Sequence, residues 1–245
     1  MRAAPAAVMP MVDHLEELRH RLFWVVGCVV LASAAALFVV FTFPVIRLLE
    51  LPIQSYLPSH KLAFTHPTDP FDISMHAAIA FGIVVSLPVI LWHAWAFVQP
   101  AMTRQERRLS RGAVVGAVVL FACGVALAWG VVLPLAVRWL MALQSDALTP
   151  VITARDYFAF ALDMAFAFGL SFQLPIVLMG LAWADLVTPD VLARHRRAAM
   201  FISVLVGALL TPGDLVWTTV AMAVPLYGLY ELSVIGARHL VRWKQ

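Results

Sequence analysis

The chain has 245 residues, 62% of them hydrophobic and 13% charged, with a mean hydropathy of +0.89. A soluble globular domain averages roughly 45–50% apolar and about 25% charged residues, so the composition excludes a water-soluble fold and points to a membrane protein with several spans. The net charge of +3 raises nucleic acid as a partner, but the basic residues flank apolar runs, which is a mark of membrane topology and not of a nucleic-acid footprint.

The first element begins at "HLEELRHRL", residues 14–22. Val12, Leu15, Leu18 and Leu22 fall at helical spacing and predict an amphipathic helix lying in the interface before the chain turns inward. Glu17 and Arg21 stand four apart on one face, which allows either an intrahelical ion pair or a carboxylate offered to a cationic ligand. Arg19, Arg21, the run from Leu22 and the triplet Ala32-Ser33-Ala34 imitate a cleavable signal peptide. The run continues to Phe43 and the head carries Asp13, Glu16 and Glu17, so a retained first span is expected.

Stretches free of Asp, Glu, Lys and Arg locate the spans at 22–43, 73–98 (the uncharged stretch itself reaching Met102), 112–137, 157–183 (interrupted by Asp163), 198–212 and 215–232. The first four suit the roughly 20 residues that a bilayer core about 30 Å thick requires. The last two hold uncharged runs of 16 residues each, about 24 Å of helix. "TPGD", residues 211–214, reads as a turn between them, with Asp214 able to cap the following helix. Two spans this short predict a locally thinned bilayer. With six spans, one face carries 13 Lys and Arg and the other 4, and the positive-inside rule places both termini in the cytoplasm. Cys28 and Cys123 lie inside apolar runs and suit buried free thiols.

Candidates for chemistry are few. Pro100 ends or kinks the second span, and Glu106 is the one acid in a loop with Arg104, Arg107, Arg108 and Arg111. Glu106 either neutralises its neighbours or supplies the second carboxylate of a clamp, since two carboxylates are what a pair of guanidinium groups needs. In the fourth span, Asp163 and Gln173 are about 80° apart on a continuous helix and share a broad face. Asp163 suits an interfacial position, Gln173 an interhelical hydrogen bond. Glu231 is expected to pair with Arg238. "GLSFQ" is not a nucleophile elbow, His76 and His93 do not have metal-ligand spacing, and no phosphate loop or cofactor fingerprint occurs, so neither an enzyme nor a metal or cofactor site is expected.

The motifs "HLEELRHRL", "LPVILWHAWAFVQPAMTRQERR", "FGLSFQLP", "LLTPGD" and "VPLYGLYE", in this order, resemble TatC, the multispanning core of the twin-arginine protein translocase, over nearly the whole chain. The resemblance implies an all-α membrane protein of six transmembrane helices in a concave, glove-like arrangement, with the last two short. It implies a receptor and scaffold in the inner membrane, multimeric when working. Such a protein binds twin-arginine signal peptides at its cytoplasmic face and assembles with TatA-type and TatB-type single-span partners to export folded proteins on the proton-motive force. Glu17 and Glu106, with Arg19 and Phe97, match the signal-peptide site. Gln173, Asp214 and Thr218 match partner-contacting or cavity-lining positions, and Pro52 and Pro100 structural ones. Gln173 stands where the family usually has glutamate; it keeps a polar contact but cannot titrate. The rival reading is an ion-coupled transporter of a small solute with Asp163 and Gln173 in its site, which a broken helix in each half would favour.

Overall fold

The computed structural model describes residues 11–54, 62–98, 106–142, 152–183, 186–210 and 217–242. Its elements are helical: α1 Met11–Thr42, α2 Val45–Leu49, α3 Asp69–Val98, α4 Glu106–Leu127, a π-helical turn Ala128–Val132, α5 Leu133–Ala142, α6 Ala154–Ser171, α7 Leu174–Trp183, α8 Pro189–Arg194, α9 Arg196–Leu210 and α10 Trp217–Arg242. Among the described residues, four stretches are long and apolar enough to cross a membrane: Leu15–Thr42, Asp69–Ala96, Gly112–Ala142 and Ala154–Trp183.

Several boundaries differ from the sequence reading for identifiable reasons. The amphipathic segment is not a separate interfacial helix: α1 runs unbroken through it for 32 residues, with no Gly-Pro signal to turn it. The last helix is not short. α10 continues for 26 residues, because Glu231 and Arg238 interrupt the apolar run without interrupting the helix; α9, with 15, is short. The fourth span breaks at Phe172–Gln173. Pro175 has no N–H and its ring crowds the Ser171 carbonyl, so the chain tightens, Gln173 N–H bonding Leu170 O at 2.9 Å, three residues back, before α7 resumes. Pro134 acts more gently in the third span, where the ladder slips by one residue and Leu133 N–H donates to Ala128 O.

α1 packs on α3, while α3 and α4 pack on α6. Small residues let the backbones close in, as is usual for helices in membranes. A Cβ on Gly82 of α3 would lie 2.6 Å from the Ser33 Cα of α1, and Cys28 Sγ is 3.6 Å from Ser86 Oγ. Cys123 is exposed, not buried. Gly124 of α4 meets the backbone of Phe168, where a Cβ would sit 2.7 Å from the carbonyl oxygen. α6 turns Tyr157, Phe158, Ala161, Met164 and Phe168 into the main apolar core, a stripe at helical spacing. A second core joins Ala182 and Leu192 to Tyr230, Val234 and Ala237 of α10. The outward faces of α1 and α9 remain apolar and exposed, with Phe23, Leu31 and Phe38 on one and Phe201, Leu205 and Leu209 on the other, as lipid-facing surfaces are.

Candidate functional site

Glu17 lies one and a half turns into α1 and is half-buried. Its Oε1 accepts from Arg21 Nε at 3.0 Å and also from Arg21 Nη2. Both partners are four residues apart on one helix, so the ion pair closes within a single element. Arg19 points elsewhere, its guanidinium carbon 5.9 Å above the Phe23 ring, a cation–π contact. Trp24 Nε1 donates to His20 Nε2 at 3.1 Å. Leu15, Leu18 and Leu22 are exposed, so the apolar edge of this segment finds no cover within the described residues.

The other acid of the pair the sequence suggested, Glu106, is the first residue of α4, and Phe97 is in the last turn of α3. Both are described by their backbone alone, as is Thr218 in the first turn of α10. Pro100 and Asp214 lie outside the described residues. Pro52 is half-buried in the turn that follows α2.

Gln173 sits at the break between α6 and α7. Its Nε2 donates to Ala117 O of α4 at 3.0 Å, bridging the two helices, and more weakly to Gly169 O at 3.5 Å. Its Oε1 is buried without a hydrogen-bond donor. The residue borders an apolar cavity of about 220 Å³ whose other walls include Leu91, Trp95, Ala117 and Ile176. Asp163 is exposed, and the break between it and Gln173 removes the shared face that a continuous helix would give them.

Two polar clusters escaped the sequence reading. Glu231 does not pair with Arg238; it accepts from Arg196 Nη2 at 2.8 Å and from the Tyr227 hydroxyl at 2.7 Å, tying α10 to α9. Tyr230 donates to Leu192 O of α8 at 2.6 Å beside it. The second cluster lies where α3 and α6 begin. Asp69 is fully buried and its Oδ2 accepts the backbone N–H groups of Thr65 and His66, each at 2.9 Å. Arg155 of α6 stands 4.0 Å from Asp69 and 3.9 Å from Asp72. Ala154 N–H donates to Ala63 O at 2.7 Å, and the Tyr157 hydroxyl donates to Leu49 O at 3.0 Å. Nearby, burial raises the carboxyl of Glu50 above its ordinary range, Arg47 partly offsetting it. "THPTDP" carried the signal for Asp69, an acid beside the proline that starts a helix.

The family model described as "Sec-independent protein translocase protein (TatC)" matches residues 13–225. The TatC protein of Aquifex aeolicus is 35% identical over 97% of this chain and 98% of its own length. That of Escherichia coli strain K12 is 32% identical over 95% of this chain and 89% of its own. A crystal structure described as the twin arginine translocase receptor TatC superposes with a TM-score of 0.79 at 33% identity, over 93% of this chain and 99% of that one. A second, described as the twin arginine translocase receptor TatC in DDM, gives 0.80 at 34% identity over 91% of this chain and 98% of that one.

Proposed function

This chain belongs to the TatC family, a non-enzymatic component of the Sec-independent protein translocase in membranes, and from that premise we propose that it is the receptor for twin-arginine signal peptides. In this reading the chain crosses the inner membrane six times, α9 and α10 making the last two crossings of a concave, glove-like bundle with both termini cytoplasmic. Glu17 and Glu106 receive the two guanidinium groups, Arg19 and Phe97 complete the site, and TatA-type and TatB-type partners assemble against the surface that includes Gln173, Asp214 and Thr218. Folded cargo then crosses at the expense of the proton-motive force.

The observation that carries the reading is the present partner of Glu17. A guanidinium, that of Arg21, already sits on its carboxylate, so the position has the chemistry a peptide arginine needs. That partner comes from the same helix, so a ligand arginine replaces it without opening any tertiary contact. A fully exposed pair of this kind contributes about 0.2–1 kcal/mol, whereas losing one partner of a desolvated pair costs about 2–5 kcal/mol. Bound peptide, by covering the half-buried carboxylate, moves the pair from the first regime towards the second.

Photocrosslinking tests this. A probe at position 17 or 106 is expected to capture a twin-arginine peptide, and Glu17→Ala with Glu106→Ala to abolish capture by a probe placed beside them. Undiminished capture and export in the double variant reject the two-acid site.

A further inference from the structure

We infer that the end of the bundle where α3 and α6 begin carries a proton-operated clasp, in which protonated His66 closes onto Asp69 and locks the segment before α3 against both helices. This rests on the geometry of that cluster and not on the signal-peptide reading.

Donors and acceptors around Asp69 do not balance. Its Oδ2 collects three bonds, from Thr65 N–H, His66 N–H and, at 3.3 Å, the Thr65 hydroxyl. Its Oδ1 is equally buried and has no hydrogen-bond donor. The two nearest cationic candidates stand just out of reach, His66 Nδ1 at 3.8 Å and Arg155 Nη1 at 4.0 Å, beyond the 2.7–3.2 Å of a nitrogen–oxygen hydrogen bond. A buried carboxylate oxygen left this way is costly, and the cost falls if a charged donor arrives.

His66 is built to be that donor. Its ring is exposed, so water delivers the proton freely. Thr65 Oγ1 lies 3.0 Å from Nδ1. A hydroxyl has one proton to give, and a ring with a bare Nδ1 competes for it with Asp69 Oδ2. Imidazolium always carries hydrogen on Nδ1, which ends that competition: Nδ1 no longer accepts, the Thr65 hydroxyl turns wholly to Asp69 Oδ2, and the Nδ1 proton is left for Oδ1. The added charge then draws the ring about 1 Å towards Oδ1, to charge-assisted bonding distance.

Charged groups reach the cluster from three elements. Asp72 accompanies Asp69 on α3, with His76 Nδ1 bonded to the Asp72 carbonyl at 2.8 Å. From α6 come Arg155 and Asp156, the latter held by the Thr153 hydroxyl at 2.6 Å. From the end of α2 come Arg47 and Glu50, beside the residue that accepts from Tyr157. Acids therefore outnumber arginines among these groups, while Arg155, 4.0 Å from the same Oδ1, links the cluster to α6.

The sign follows. A proton that makes bonds only in the folded protein stabilises it, so the contribution is present below the imidazole titration range and is lost as pH rises through it.

Thermal unfolding of the full-length protein in detergent, at about pH 5.5 and about pH 8, on either side of that range, tests the clasp. The Tm of wild type minus that of His66→Gln is expected to be about 2–4 °C larger at the acid pH. His66→Gln alters an exposed side chain, so the variant folds, and the pH response of Glu50 cancels in the difference. In an Asp69→Asn background the His66-dependent increment is expected to vanish. Equal pH dependence of wild type and His66→Gln overturns the proposal. So does an increment that survives Asp69→Asn, because the proton then serves another partner.

Discussion

The start of α1 and the starts of α3 and α6 are both rich in charge, yet they use it in opposite ways. At α1 the polar contacts close within one helix: Arg21 on Glu17, Trp24 on His20, Arg19 over Phe23. At α3 and α6 the loop before α3 closes locally on the buried Asp69, and further contacts join distant parts of the chain: Arg155 across to Asp69 and Asp72, Ala154 on Ala63, Tyr157 on Leu49. Bonds of the second kind hold a fold together, because losing one leaves a buried group unpaired. Bonds of the first kind, partly in solvent and worth a few tenths of a kcal/mol, are free to be exchanged for a ligand. The same residue types thus build architecture in one region and, in the function we propose, a receptive surface in the other.

Substitutions can break that contrast, and the largest effect on stability is expected at Asp69. Asp69→Ala strands two backbone N–H groups and costs about 3 kcal/mol, a Tm lower by about 6–12 °C in a melt of the purified protein. Gly82→Val pushes a side chain into the Ser33 backbone and is expected to cost about 2 kcal/mol, seen as a lower Tm and faster proteolysis between α1 and α3. Gln173→Leu removes the bridge to Ala117 O; the loss is about 0.6–1.7 kcal/mol, with weaker co-purification of single-span partners, while Gln173→Glu keeps function as a neutral carboxyl. Equal partner recovery with the Leu variant contradicts that. Arg21→Ala closes the series at about 0.3 kcal/mol. A Tm change there as large as that of Asp69→Ala erases the distinction between the two regions.

Much of the fold was legible in one sequence because lipid imposes a simple pattern. The apolar stretches at 22–43, 73–98, 112–137 and 157–183 lie in helices apart from Phe43 and the break at Phe172–Gln173, since a backbone crossing hydrocarbon must satisfy itself. What escaped depends on neighbours in space. Charge counting ended the last span at Glu231 and assigned it Arg238, seven residues on, whereas the fold brings Arg196 of α9 to it from 35 positions away. The break at Gln173 was written in Pro175 but overridden by the apolar run around it. At the candidate site, the Glu17–Arg21 pair was readable from spacing alone. Asp69 showed in "THPTDP" only as an acid beside a helix-starting proline; its burial and its approach to Arg155 of α6 arise from the fold. The α-helical breaks at prolines and the tight crossing at Gly82 show the same division between local rule and tertiary outcome.

The central claim is that Glu17 exchanges an internal guanidinium for one brought by a ligand, with Glu106 taking a second. Fluorescence titration of a labelled twin-arginine peptide into the purified protein addresses it directly, using wild type, Glu17→Gln, Glu106→Gln and the double variant. Each single change is expected to weaken binding at least about 10-fold while moving Tm by no more than an exposed ion pair does. Affinity unchanged in the double variant, or lost only together with the folded state, contradicts the exchange.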